Sequence, residues 1–201
     1  MRESANISEV ATLKPDWMGF IFYPKSKRYV GTDFDPALVQ SLMPEIKTVG
    51  VFVNEEYEDM IAIAKKYNFD MVQLHGNESP EYCNSSQEEG FDVIKAFGIN
   101  ENFDWSVLEP YSEVCKYFLF DTSTKDYGGS GKKFDWLMLE SYPYSMPFVL
   151  SGGIGPDDAD AIKSISIPKF AGIDINSCFE IQPALKDLNL LKPFVSKIRQ
   201  Q

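Results

Sequence analysis

Seven short runs rich in β-branched and aromatic residues recur along the chain, separated by segments of helical pattern. They are WMGFIFY (17–23), TVGVFVN (48–54), MVQLHG (71–76), DVIKAFGI (92–99), YFLFDT (117–122), FVLSGG (148–153) and GIDINS (172–177). Nearly every position in them is apolar, rather than every second one, which is the pattern of strands covered on both faces. Between two of them, EEYEDMIAIAKKYNF (55–69) places Tyr57, Met60, Ile61, Ala64 and Tyr67 on one helical face. Its acids come early and its lysines late, which suits the helix dipole. Glu81 to Glu89, Asp157 to Ser164 and Asp187 to Ile198 read in the same way. Each connection is long enough for a βαβ crossover, so the strands are expected to be parallel.

An open doubly wound sheet and a (β/α)8 barrel both satisfy this alternation. The polar residues separate them. Strand after strand ends in a small or functional group: Asn54, Gln73 with His75 and Gly76, Asp121, Ser151 with Gly152 and Gly153, Asn176 with Ser177. Functional groups spread over many strand ends are the barrel arrangement, whereas an open sheet concentrates them at one switch point. The expected fold is therefore a TIM (β/α)8 barrel. It is one strand short, because the chain opens with MRESANISEV, which reads as a helix start. No linker or composition break divides the 201 residues, so residues 1–201 are expected to form a single barrel domain.

Charge narrows the partners. The chain carries 19 Lys and Arg against 30 Asp and Glu, a net charge of −11. That balance argues against nucleic-acid or anionic-membrane binding, which want a basic surface. No apolar run approaches the roughly 20 residues of a membrane span. Cys83, Cys115 and Cys178 are odd in number and far apart, which suggests neither a disulfide framework nor a zinc site. A reducing cytoplasm is the expected location.

Several stretches carry chemistry. The Gly-Gly-Ser-Gly-Lys of 128–132 suggests a nucleotide-binding loop, but Asp126 and Lys133 stand where that motif needs Gly and Ser or Thr. VLSGGIGPDDADAIKS runs from a strand through a Gly-Gly turn into a helix opened by Pro156, a recurrent phosphate site in barrels. The plainer alternative is a tight turn with nothing bound. Asp121 ends an apolar strand, where a partly desolvated carboxyl can serve as a general acid. A capping or salt-bridged structural aspartate is its alternative. Lys25, Lys27 and Arg28 follow the first run in an otherwise acidic chain, and a guanidinium can fork onto a carboxylate. Gln73 and His75, two residues apart, point the same way, although a lone histidine is more often structural.

Taken together, GFIFYPKSKRYV, VGVFVN, VQLHGNESPEYC, VIKAF, LFDT…GGSGKKFDW and LSGGIGP resemble phosphoribosylanthranilate isomerase over essentially the whole chain. The resemblance implies an Amadori rearrangement of N-(5-phosphoribosyl)anthranilate to the 1-deoxyribulose isomer, in tryptophan biosynthesis. It implies Asp121 as the acid and Arg28 as the holder of the anthranilate carboxylate. Gln73 and His75 would line the pocket, and Gly152, Gly153, Asp174 and Ser177 would hold the phosphate. The chemistry is proton transfer alone, so neither metal nor cofactor is implied, and a monomer or weak homodimer is expected.

Two features depart from the family. Its cysteine base ends the first strand in a K-x-C-G motif, and Met1 matches the residue just after that Cys-Gly. The natural protein is therefore expected to be longer, with its start assigned to an internal methionine. Cys178 stands where many members have glycine in the phosphate loop. Two other readings follow. One is a catalytically dead anion-binding barrel. The other is indole-glycerol-phosphate synthase, which would need strand lysines and glutamates where Lys95 is the only obvious lysine.

Overall fold

The computed structural model describes residues 1–122 and 133–200. The Gly-Gly-Ser-Gly-Lys stretch lies outside them. The described chain begins with helix α1 (Ser4–Ala11), followed by strand β1 (Trp17–Ile21), α2 (Pro36–Gln40), β2 (Lys47–Phe52), α3 (Tyr57–Tyr67) and β3 (Met71–Leu74). Next come α4 (Pro80–Glu88), β4 (Asp92–Ile99), a 3₁₀ helix (Trp105–Tyr111) and β5 (Tyr117–Thr122). A second 3₁₀ helix (Trp136–Ser141), β6 (Phe148–Leu150), a 3₁₀ turn (Pro156–Asp158), α5 (Ala159–Lys163) and β7 (Phe170–Ile173) follow. A last 3₁₀ turn (Ser177–Phe179), the hairpin β8 (Glu180–Gln182) and β9 (Leu185–Lys186), and α6 (Leu188–Arg199) complete it.

The seven main strands form one sheet in the order β1 to β7, and every neighbouring pair is parallel. The sheet curls. Trp17 at the start of β1 and Tyr117 at the start of β5 bring their ring centroids to 4.9 Å, edge to face. In a flat sheet these strands would lie about 19 Å apart, at roughly 4.8 Å per strand. Successive residues along the curled strands divide between two cores. Val49, Val51, Met71, Ile94, Ala96, Leu119 and Val149 fill the inside. Phe20, Phe52, Leu74, Phe118, Phe120 and Phe148 belong to the larger core on the other face, beneath the helices. Gly50 belongs to this outer side, where an added Cβ would sit 2.6 Å from the Phe69 ring.

β1 and β7 are the edges of the sheet among the described residues. Other contacts tie the two sides together. The Asn6 side chain exchanges two hydrogen bonds with the Lys186 main chain, at 2.9 and 2.8 Å, joining α1 to β9. At the far end of α6, Arg199 donates to the carbonyls of Leu13 and Lys14 at 2.7 and 2.5 Å.

Local signals explain most elements. α3 carries Glu58 and Asp59 in its first turn and Lys65 and Lys66 in its last, and Asn68 ends it in the left-handed conformation at φ 54°. α4 starts at Pro80 behind Ser79, whose hydroxyl accepts from the Tyr82 N–H. The last predicted strand, 172–177, is shifted: β7 is Phe170–Ile173, and Asp174 to Asn176 form the loop beyond it. Asp157 to Ser164 is a 3₁₀ turn followed by the short α5, not one helix.

Candidate active site

The eight residues to which the resemblance assigns a site role line one cavity of about 650 Å³. It opens where the strands end and runs down between β1 and β7, where Met1, Gly19 and Ala171 also line it. Each site residue is delivered by the end of a strand or the loop after it, as barrel sites are.

Gln73 is buried near the end of β3, and His75 follows two residues on, so both face inward. Gln73 Nε2 lies 2.9 Å from His75 Nδ1, and His75 Nε2 lies 3.4 Å from Asp121 Oδ2. The other Asp121 oxygen accepts the Thr122 N–H at 2.7 Å. With the amide donating to Nδ1, the proton of a neutral ring sits on Nε2 and points at Asp121.

On the next strand end, the Ser151 hydroxyl donates to Asp174 Oδ2 at 3.0 Å. Burial pushes the Asp174 carboxyl above its ordinary range, the Ser151 bond and Lys186 partly offset this, and Asp121 adds to it. The Asp174 N–H goes to Leu150 O at 2.8 Å, so this residue has no main-chain donor left for an anion. Its carboxyl meets Ser151 at the cavity wall. Gly152 and Gly153 both have positive φ, 86° and 69°. Gly152 lies so close to β5 that an added Cβ would sit 2.5 Å from Thr122 Oγ1 and 2.6 Å from Asp121 Oδ1. Cys178 packs beside them, its sulfur 3.8 Å from Gly153 O.

The basic wall is more elaborate than the sequence suggested. Arg28 grips Glu180 with one edge of its guanidinium: Nε lies 3.0 and 2.8 Å from its two oxygens, and Nη2 lies 2.7 Å from Oε2. Lys186 Nζ approaches Glu180 Oε1 at 3.3 Å and also donates to Asn176 Oδ1 at 2.6 Å and Asn176 O at 3.0 Å. Burial alone would raise the Glu180 carboxyl, but hydrogen bonds and charge from Arg28 and Lys186 win and hold it below its ordinary range. Burial lowers Lys186, against the opposing pull of Glu180 and Asp174. Glu180 and Lys186 were not foreseen. No local pattern pairs a residue at 28 with one at 180, and Lys186 differs from a surface lysine only by being buried.

Lys95 is not a pocket residue. Its ammonium donates to the carbonyls of Leu74, Gly76 and Ala96 at 3.0, 2.8 and 3.2 Å and pairs with Glu78 at 3.2 Å. Glu78 in turn accepts the N–H groups of Asn54 and Gly76 at 2.8 and 2.9 Å. This network braces the ends of β2, β3 and β4 beneath His75, and the strand lysine expected of the synthase alternative is spent in it. No cluster of three or more His, Cys, Asp or Glu residues suited to a metal ion occurs among the described residues.

A curled parallel sheet with its cavity and functional groups at the strand ends defines a β/α-barrel enzyme. The pattern of the family described as N-(5'phosphoribosyl)anthranilate (PRA) isomerase matches residues 1–197. The N-(5'-phosphoribosyl)anthranilate isomerase of Parabacteroides distasonis is 50% identical, over 98% of this chain and 90% of that protein. The crystal structure of phosphoribosyl anthranilate isomerase from Thermotoga maritima superposes with a TM-score of 0.85 at 35% identity, covering 99% of this chain and 95% of that one. A family structure in complex with reduced 1-(o-carboxyphenylamino)-1-deoxyribulose 5-phosphate gives 0.78 at 31%, covering 96% and 92%. The chain belongs to the N-(5'-phosphoribosyl)anthranilate isomerase family and is an isomerase of tryptophan biosynthesis.

Proposed function

We propose that this cavity carries out the Amadori rearrangement with Asp121 as the general acid. The observation that supports this reading most is the arrangement of the cavity. The Asp121 carboxyl, a cationic wall and a glycine turn surround a single space of about 650 Å³. Asp121 protonates the ring oxygen of N-(5-phosphoribosyl)anthranilate, the C1–O bond breaks, and the nitrogen lone pair forms the C1=N iminium. A base then takes the C2 proton, giving an enolamine whose tautomerisation delivers a proton to C1 and leaves a ketone at C2. In the family that base is a cysteine in K-x-C-G, a motif that residues 1–201 do not contain.

Arg28 holds the anthranilate carboxylate, since guanidinium and carboxylate match as planar forks. Gly152, Gly153 and Ser177 hold the phosphate through main-chain amides, with glycine permitting close approach. Gln73 and His75 orient the acid, and Asp174, its carboxyl raised above its ordinary range by burial, meets the sugar hydroxyls with Ser151. The chain works as one domain over 1–201, as a monomer or weak homodimer in the cytoplasm, on a small-molecule substrate. It takes no cofactor and no nucleic-acid partner. No described helix is long and apolar enough to cross a membrane.

The test is turnover in deuterium oxide followed by NMR. Product carrying one deuterium at C1, with turnover lost in Asp121→Asn, supports the mechanism. Product formed without deuterium at C1, or turnover unchanged in Asp121→Asn, sinks it.

A further inference from the structure

We propose that Glu180 is a positioning residue. It fixes the Arg28 guanidinium so that its one free edge meets the ligand's aryl carboxylate, and it thereby sets the preference for a carboxylated aniline over an uncharged one. The proposal rests on Arg28 being the group that holds that carboxylate.

A guanidinium offers five N–H donors in a rigid plane. Glu180 takes the edge made by Nε and Nη2, at 2.7 to 3.0 Å, which sets that plane. Nη1 keeps no partner among the described residues, and Arg28 lines the cavity. The carboxylate that does this is itself held. Its side chain is 3% exposed, Lys186 Nζ lies 3.3 Å from Oε1, and the Ala184 N–H donates to the same oxygen at 3.2 Å. Lys186 is tied to the Asn176 loop on one side and, through its main chain, to the buried Asn6 on the other. Glu180 therefore acts as a fixed bracket rather than a mobile counter-ion.

Charge alone predicts the opposite effect. A carboxylate beside the cavity repels an incoming carboxylate, so a Glu180 that acted only as a charge would weaken binding of the carboxylated ligand. The cluster of Arg28, Glu180 and Lys186 keeps one surplus positive charge. What Glu180 adds is orientation of the donor and the freezing of a long, rotamer-rich side chain before the ligand arrives.

The experiment measures, by calorimetry, the affinities for reduced 1-(o-carboxyphenylamino)-1-deoxyribulose 5-phosphate and for its counterpart lacking the carboxyl. The wild-type protein should prefer the first. Glu180→Gln should cut that preference by roughly tenfold or more, with the carboxyl-free ligand changed by less than about threefold. Tighter binding of the carboxylated ligand by Glu180→Gln would overturn the proposal, and so would equal weakening of both ligands. Glu180→Gln combined with Lys186→Met keeps the cluster's net charge, and covers the case in which the single variant does not fold. The preference should stay lost there, and its recovery would show that Glu180 only balances charge. Arg28→Met separates the two ideas. If it leaves the wild-type preference intact, the Arg28 assignment itself fails; if it abolishes the preference while Glu180→Gln does not, only the present proposal fails.

Discussion

His75 Nε2 lies 3.4 Å from Asp121 Oδ2, with Gln73 standing 2.9 Å behind the other ring nitrogen. An amide N–H donated to that nitrogen leaves the proton of a neutral ring on Nε2, facing the carboxyl. Asp121→Asn keeps this geometry while removing the titrating group. Its kcat is expected to fall by roughly 10²–10⁴, the usual worth of a placed acid. Affinity for the reduced product analogue should change far less, as expected of a residue proposed to act on the transition state rather than on binding. Equal losses in kcat and affinity would place Asp121 among the binding groups instead.

Gly152→Ala tests the turn beside that carboxyl. At φ 86°, with β5 only 2.5 to 2.6 Å from where a Cβ would sit, the added methyl has no room and an unfavourable backbone. The nearest atoms include the Thr122 main-chain nitrogen, which cannot swing aside as the tip of a side chain can. A stability loss of roughly 1–3 kcal/mol is expected in urea unfolding. Inorganic phosphate should also bind more weakly, because the turn proposed to hold it and the Asp121 strand end must move apart. Retention of both would mean the loop relaxes freely.

Lys95→Met tests the brace beneath His75. The side chains of Lys95 and Glu78 are each 2% exposed, so removing the lysine strands a buried carboxylate. The expected loss is roughly 3–5 kcal/mol, as for other broken buried pairs. Adding Glu78→Gln should recover part of it, since the Asn54 and Gly76 N–H groups can still meet the amide oxygen. A single variant as stable as the wild type would show that this pair carries no structural weight.

The strands were legible because a sheet covered on both faces leaves continuous apolar runs, and β4 and β5 begin and end where those runs do. β7 was not, since its first residues follow Pro168 and Lys169 while the polar Asp174 to Asn176 continue the run by eye. The crossover after β4 is a 3₁₀ helix around Pro110, fastened by Trp105 packing on Phe120, a contact with no helical period to reveal it. Asp121, His75 and the glycine turn could be read because each sits at a strand end. Glu180 could not, because its importance comes from a partner 152 residues away. Asp174 was visible as a residue, but not its bond to the Ser151 hydroxyl or the rise of its carboxyl, which come from packing and burial.

That burial has a pH consequence. The Asp174 carboxyl starts from an ordinary value of 3.8 in the unfolded chain and is raised in the folded one, chiefly by desolvation. Ser151 and Lys186 favour its ionised form, His75 adds slightly to that, and Asp121 opposes it. Between the unfolded and folded values the native state holds a proton that the unfolded state has released. Stability from this group is thus complete below 3.8 and is lost as pH rises through the folded value. Asp174→Asn, of the same shape and without charge, should therefore match the wild type near pH 3.5 and exceed it at pH 8, by roughly 1–2 kcal/mol. Ser151→Ala removes a bond that favours the ionised form, so it should steepen the wild-type decline. Thermal melts across this range decide the matter. A variant no more stable than the wild type at pH 8 would mean that Lys186 and Ser151 already offset the burial of the charged carboxylate.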